Sequence, residues 1–278
     1  PVSGEDDFDD ENNLNVGASR IPQSITLPGN AQPPFHSRVC SIVAGARSPL
    51  LENIYLHYVQ DLWTRQWREQ HARGDVIVVR YADDSMVGLR TQWRAQQFLV
   101  QLQERLAKFG LSINASKTRL IEFGRFAARN RRKRGLGKPE TFDFLGFTHC
   151  CSTNRSGGFQ ILRLTVKKRM RATLLAIRDE LKRRRHEPIR AQGQWLTRVV
   201  SGYFNYHAVP GNLKLLSGFR KAICRYWRQA LGRRSQRNRL QWSRFGLLTD
   251  HYIPSPKNAH PYPEDRFASR TQGRSRIR

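Results

Sequence analysis

The stretch DVIVVRYADDSMVGL, residues 75–89, determines the fold of the first half of the chain. An apolar run leads into two adjacent carboxylates, Asp83 and Asp84, and a second apolar run leads out of them. Aspartate is disfavoured in strands and favoured in turns. The pattern therefore predicts a β-hairpin, in which strands at residues 76–81 and 86–89 are joined by a turn at the two aspartates.

The aspartate pair has two interpretations. Adjacent carboxylates repel each other unless a cation lies between them. Mg²⁺ takes oxygen ligands and is commonly held by one or two carboxylates together with substrate phosphates, as in nucleotidyl transferases that use two metal ions. The alternative is an ordinary turn, in which aspartate side chains bond to their own backbone.

The sequence around the hairpin predicts further helices and strands. In SPLLENIYLHYVQDLW, residues 48–63, Ser48 occupies an N-cap position and Pro49 the first helical position, and apolar residues follow at helical spacing. The other predicted elements are a helix from Thr91 to residue 109, short strands near 111–113 and 119–123, a basic loop at 125–138, strands at 141–149 and 159–165, and helices within 166–188 and at 192–207, 212–231 and about 238–248.

Positive charge dominates the composition. The chain holds 49 lysines and arginines against 22 aspartates and glutamates, a formal net charge of +27. Such a chain is expected to bind a polyanion, with nucleic acid as the first expectation and an anionic membrane surface as the second. No apolar run is long enough to span a bilayer, and the 4 cysteines lack zinc-binding spacing.

The motifs taken in order resemble those of bacterial group II intron reverse transcriptases. YADD is similar to the polymerase motif, the helix at 48–63 to the one that follows the template-contacting loop, and GLSINASKTRLIEFG, residues 110–124, to the next block. TFDFLGFTH, residues 141–149, resembles the block that closes the palm. Four later stretches resemble the thumb and maturase region (domain X) of the same proteins. They begin at residues 168, 195, 231 and 260 and read KRMRATLLAIRDELKRRRHEP, WLTRVVSGYFNYHAVPGN, LGRRSQRNRLQW and HPYPEDRF.

The resemblance implies an α+β fold, with a partial palm of an antiparallel sheet and flanking helices followed by a helical thumb or maturase domain. The family's fingers are missing, as is the upstream strand that carries another metal-binding aspartate. The chain is therefore expected to be an N-terminally truncated or frame-disrupted copy. The expected organisation is a disordered acidic and proline-containing arm at 1–46, the palm at 47–154, the helical domain at 155–262 and a basic tail at 263–278.

The same resemblance implies RNA-directed DNA polymerase activity with Mg²⁺ as cofactor. Asp83 and Asp84 would be the catalytic and metal-binding residues, and Tyr81, Ala82 and Lys117 would contact the primer and the nucleotide. The implied partners are group II intron RNA, an RNA template with a DNA primer, and dNTPs, in a bacterial cytoplasm and with a dimer left open. Because one palm aspartate is missing, polymerisation by this chain alone is expected to be poor or absent.

A second hypothesis is a non-catalytic maturase remnant that binds intron RNA and helps it to fold. A third is a gene fragment that does not fold stably. The guanidinium fork of arginine suits phosphate groups, so the basic segments are expected to form the RNA-binding surface. The expected contacts are Arg131, Arg132, Lys133, Arg134, Lys167, Lys168, Arg169, Arg183, Arg184, Arg185, Arg233, Arg234 and Arg237.

Overall fold

The computed structural model describes residues 15–20, 50–71, 74–154, 157–234 and 241–262. The chain divides into two compact units between Thr141 and Phe142. Within the described residues, seven helices and two small antiparallel sheets form a mixed helix and sheet fold. None of the described helices is long and apolar enough to cross a membrane.

The first unit is built on a four-stranded sheet with the order β2-β3-β1-β4. All its neighbouring strands are antiparallel. The elements are β1 (Asn15–Arg20), α1 (residues 50–71, with a π-helical segment at His57–Asp61), β2 (Ile77–Tyr81), β3 (Asp84–Leu89), α2 (Gln92–Ala107), β4 (Arg119–Glu122) and α3 (Ala127–Lys133).

The core of this unit lies between the sheet and the helices α1 and α2. In β3, Val87 and Leu89 are buried, because alternate strand residues point to the same face. From the helices, Trp67 of α1 packs edge-on against Phe98 of α2, with ring centroids 4.9 Å apart. Helices α1 and α2 therefore support one face of the hairpin, whereas Ile77, Val79 and Tyr81 on its other face are exposed.

The second unit contains a three-stranded sheet with the order β5-β6-β7 and a group of helices. Its helical core is built from long side chains with no exposed surface, including Leu196, Phe219, Ile223 and Trp227. The elements are β5 (Phe142–Phe144), β6 (Phe147–Thr153), β7 (Phe159–Thr165), α4 (Lys167–Arg183, followed by a 3-10 turn at Arg184–His186), α5 (Ile189–His207), α6 (Leu213–Gly232) and α7 (Trp242–Tyr252).

A buried asparagine joins the sheet of the second unit to its helices. Asn212, which has no exposed surface, donates to the hydroxyl of Thr165 at 2.7 Å and to the carbonyl of His207 at 2.8 Å. Its side-chain oxygen accepts the backbone N–H of Thr165 at 3.0 Å. The end of β7 and the connection between α5 and α6 are thus held by one side chain.

Three sequence predictions are wrong in detail. Residues 111–113 form no strand, and the basic segment predicted as a loop contains α3. The segment 141–149 is a hairpin and not one strand, because Leu145 and Gly146 take φ values of 48° and 80° and form a turn between Phe144 and Phe147. Two positive φ values are what a tight two-residue hairpin turn needs.

The first unit also contains a strand where an arm was expected. Residues 15–20, part of the predicted disordered arm 1–46, form β1, while the rest of that arm and the tail 263–278 lie outside the described residues. The boundary between the units falls at residue 141 rather than at the expected 154, because β5 and β6 pair with each other and β6 with β7.

Candidate metal and nucleotide site

The turn of the β2–β3 hairpin is made by Ala82 and Asp83. Tyr81 pairs with Asp84, so Asp84 is the first residue of β3 and not, as predicted, part of the turn. Ala82 takes a φ of 51°. This left-handed conformation favours glycine and costs about 1–2 kcal/mol for a residue with a Cβ. The backbone that precedes Asp83 is therefore strained.

The two carboxylates lie at an open end of the sheet. Residues directly opposite in an antiparallel pair point to the same face, so Tyr81 and Asp84 share one face. Tyr81 is 65% exposed, whereas Ser85 and Val87 face the helices and are buried. Asp83 and Asp84 are half-buried. Both carboxylates are thus partly accessible to solvent.

The carboxylate pair does not form a complete metal site. In the ranges that the structure describes, no group of three or more His, Cys, Asp or Glu side chains is placed to hold a metal ion. Two adjacent carboxylates at the tip of a hairpin do suit Mg²⁺ when substrate phosphates supply further oxygen ligands. Asp83 and Asp84 therefore fit one part of a magnesium site, which a bound nucleotide would have to complete.

Next to the hairpin lies β1, a strand for which the sequence analysis gave no prediction. β1 pairs with β3 along its length, with Arg20 opposite Asp84 and Asn15 opposite Leu89. Its sequence, NVGASR, contains no acid. The acidic run of the N-terminus ends at Glu11, ahead of Asn15, and that end of β1 lies about 17 Å along the strand from the Asp84 end. β1 thus completes the sheet but supplies no further carboxylate.

Lys117 stands at the same end of the sheet as Asp84. It is exposed in the turn that precedes β4, where Asn114 accepts the N–H of Ser116 at 3.0 Å. The first residue of β4 pairs with Ala18, and Ala18 pairs with Met86, so the start of β4 faces the carboxylate end of β3 across β1. Two strand spacings separate β4 from β3, about 10 Å.

Arg80 connects the hairpin to helix α1. Its Nε and Nη2 donate to Asp61 at 2.8 and 2.7 Å, and its Nη1 donates to Asn53 at 2.9 Å and to the carbonyl of Ala82 at 3.0 Å. Burial by itself would raise the pKa of Asp61, but the hydrogen bonds and charges of Arg80 and His57 outweigh it and hold that pKa below its usual value. The pair therefore stabilises the fold above the unfolded pKa of Asp61, and this stabilisation is lost as the pH falls through the folded pKa.

Residues 38–149 match the family model of the reverse transcriptase (RNA-dependent DNA polymerase). No curated protein matches the chain significantly. The matched region contains the hairpin with both aspartates, Arg80 and Lys117. The match confirms the reverse transcriptase part of the resemblance, and the fold is compatible with a partial palm of that family. The group II intron origin and the maturase domain stay predictions.

Within the reverse transcriptase match, the basic segment at 131–134 is partly engaged in ion pairs. Arg131 donates to the carbonyl of Gly137 at 3.2 Å and to Glu140 at 3.4 Å, and its side chain is 17% exposed. Arg134 pairs with Glu122. Arg132 and Lys133 are exposed, so these two cations present their charge to solvent.

The remaining predicted RNA contacts belong to the second unit and differ in whether their side chains are paired or exposed. Arg183 and Arg184 pair with Glu180 at 2.9 and 2.7 Å, and Arg234 donates to the carbonyl of Glu187. The buried Nε of Arg185 has no hydrogen-bond partner among the described residues. Lys167, Lys168, Arg169 and Arg233 are exposed, as is the paired Arg183. Arg237 lies outside the described residues.

Sequence reasoning missed a basic groove between α5 and α7. Arg190 and Arg198 are both exposed on α5 and face the exposed His251 of α7. The signal in the sequence was the spacing of the two arginines, which places them on one helix face. The groove has a volume of about 840 Å³ and is lined by Arg190, Gln194, Thr197, Arg198, His251 and Tyr252.

Two histidines of the second unit, His149 and His207, are packed against aromatic and polar neighbours. His149 stacks on Phe142 with centroids 4.8 Å apart, and burial lowers its pKa. Burial also lowers the pKa of His207, which lies 3.3 Å from the hydroxyl of Thr165. Neutral, packed imidazoles of this kind support the fold.

Proposed function

We propose that residues 38–149 are the palm remainder of a group II intron reverse transcriptase, and that its hairpin binds Mg²⁺ for RNA-directed DNA synthesis. The observation that carries the proposal is the placement of Asp83 and Asp84 at the open end of a hairpin inside the reverse transcriptase match. The substrates would be an RNA template, a DNA primer and dNTPs.

Each residue of the site has a role that its position supports. Asp83 and Asp84 would hold the cation, and Tyr81, on the same open face as Asp84, would contact the primer or the nucleotide. Lys117 would offset phosphate charge from the neighbouring edge of the sheet. When bound, Mg²⁺ supplies charge stabilisation at the phosphate under attack. Ala82, directly before Asp83 in the turn, would lie against the nucleotide or the primer.

The same site explains why this chain should polymerise poorly. Among the described residues the strands beside Asp84 are β1 and β2, and neither carries a carboxylate. A two-metal site that lacks one shared ligand loses several kcal/mol of transition-state stabilisation. We therefore expect incorporation well below that of an intact palm.

A primer-extension assay tests the polymerase proposal. With Mg²⁺ on poly(rA)/oligo(dT), the chain is expected to incorporate dTTP slowly but measurably, and Asp83→Ala to reduce incorporation by at least about a hundredfold or to background. Arg220→Ala, a change in the second unit, serves as a folding control. Equal incorporation by the wild type and Asp83→Ala would contradict polymerase activity at this hairpin.

A second candidate function, a maturase remnant that binds group II intron RNA without chemistry, is favoured by the exposed cations of the second unit. Lys167, Lys168 and Arg169 begin α4 in a row and are all exposed. The α5–α7 groove adds two more arginines. The formal net charge of +27 makes an anionic partner the expected one.

Salt-dependent binding tests this second candidate. Binding to a structured intron RNA should weaken steeply with salt, and changing Lys167, Lys168 and Arg169 together to glutamine should lower the slope by about 2–3. The matched control changes Lys182 and Arg65, which pair with Asp179 and Glu69, to glutamine and should leave the slope nearly unchanged. A slope that does not respond to the triple change, or no preference for intron RNA over tRNA, would count against an RNA-binding role of α4.

A further inference from the structure

One guanidinium reaches both the strained turn and the helix behind it. The four hydrogen bonds of Arg80 join Asn53 and Asp61 of α1 to the carbonyl of Ala82, with distances between 2.7 and 3.0 Å. The Arg80 side chain is only 13% exposed. Its position is therefore fixed by the partners around it and not by solvent.

The carbonyl that Arg80 holds belongs to the peptide unit between Ala82 and Asp83. A hydrogen bond to this oxygen fixes the plane of the peptide from which the Asp83 side chain departs. Ala82 has a φ of 51°, a conformation that persists in a non-glycine residue only when its surroundings enforce it. Arg80, which lies two residues before Ala82, supplies part of this constraint through its hydrogen bond to the Ala82 carbonyl.

The direction of the Arg80 side chain separates it from any substrate. Arg80 pairs with Ser85, which is buried, so both side chains lie on the helix side of the sheet. Asp84 and Tyr81 lie on the other side. A planar fork with several donors can hold a carboxylate and a carbonyl at once, which a lysine ammonium cannot do in a fixed geometry.

We propose that Arg80 is a positioning residue of the Ala82–Asp83 turn, which holds the turn backbone against α1 so that the carboxylates of Asp83 and Asp84 can share one divalent cation. The inference rests on the proposed function, since it concerns the same carboxylates. In this proposal, Asn53 and Asp61 of α1 support the metal-binding hairpin through their hydrogen bonds to Arg80.

Binding of Mn²⁺ in the presence of a dNTP, with the same Mn²⁺ and dNTP without protein as the blank, tests the proposal. Mn²⁺ prefers the same oxygen ligands as Mg²⁺, and its free form is measured by electron paramagnetic resonance. Arg80→Lys keeps the charge but loses the fork, and should weaken Mn²⁺ binding by about tenfold or more. Asn53→Ala removes one partner of the fork and should weaken binding in the same direction by a smaller factor.

The matched control is Arg220→Lys in the second unit. Arg220 likewise bridges a carboxylate and a backbone carbonyl, donating to Asp250 at 3.1 Å and to the carbonyl of Ile253 at 3.2 Å. Arg220→Lys should lose about as much thermal stability as Arg80→Lys, without any change in Mn²⁺ affinity. Thermal melts show whether each variant is folded. If Arg80→Lys does not fold, the Mn²⁺ affinity of Asn53→Ala decides whether the proposal holds.

The outcomes separate the inference from the function on which it rests. If the wild type and Asp83→Ala bind Mn²⁺ equally, the hairpin is no metal site, and the proposed function and the inference are both overturned. If Asp83→Ala abolishes binding but folded Arg80→Lys and Asn53→Ala bind within twofold of the wild type, the inference alone is overturned. Weaker binding by both variants, with Arg220→Lys unchanged, supports it.

Discussion

Replacing Arg20 by aspartate is expected to raise the affinity of the chain for Mn²⁺ by about tenfold or more. In the backbone register of β1 and β3, position 20 is directly opposite Asp84, and directly opposed strand positions have Cβ atoms about 5 Å apart. The change replaces a positive by a negative residue at the strand position opposite Asp84. Each unit charge at that distance is worth about 0.8 kcal/mol even in water.

The effect of Arg20→Asp separates into a charge part and a ligand part. Arg20→Ala removes the positive charge without adding an oxygen ligand and should give only part of the gain. Titration of Mn²⁺ into the wild type and both variants measures the difference. An affinity of Arg20→Asp no higher than that of Arg20→Ala would show that residue 20 does not reach the cation, and would contradict the register of β1 at the site.

Replacing Asn212 by alanine is expected to lower the free energy of unfolding of the second unit by about 3–4 kcal/mol. The change removes three buried hydrogen bonds at once, to the N–H and hydroxyl of Thr165 and to the carbonyl of His207. It leaves the N–H of Thr165 buried without this partner, and an unsatisfied buried donor costs more than the mean value of a hydrogen bond.

Urea unfolding followed by far-UV circular dichroism measures the loss caused by Asn212→Ala. The control is Asn154→Ala, since the exposed Asn154 also bonds to a backbone N–H, that of Gly158 at 2.6 Å. Its replacement should cost about 1 kcal/mol or less. Similar losses for the two variants would contradict a special role of Asn212 in joining β7 to the helices. A cooperative transition of the wild type would also argue against a fragment that does not fold.

The parts of the fold that the sequence predicted well are those with strong periodic signals. The strand Phe159–Thr165 was predicted with its observed bounds, and the hairpin of β2 and β3 was predicted from two apolar runs around a polar tip. α3 was missed because its sequence, AARNRRK, has no apolar face for periodicity to reveal. β1 was missed because small and polar residues form that strand, and pairing with β3 and β4 on both sides fixes it there.

At the candidate site, the sequence predicted the two carboxylates but not the side chains that hold their hairpin in place. Asp83 and Asp84 are adjacent, and their turn chemistry is local. The partners of Arg80 are distant, with Asp61 and Asn53 lying 19 and 27 residues away along the chain. No periodicity links an arginine on one face of a strand to two polar residues of a preceding helix. Only the packing of α1 on the sheet brings these side chains together.

The central claim is that the carboxylates of Asp83 and Asp84 together hold a divalent cation. The measurement that tests it most directly is equilibrium binding of Mn²⁺ by the wild-type chain and by Asp83→Ala, with both shown to be folded. We expect the wild type to bind one Mn²⁺ and Asp83→Ala to bind it at least about tenfold more weakly. Equal binding by the two proteins, or no binding by either in the presence of a dNTP, would contradict the claim.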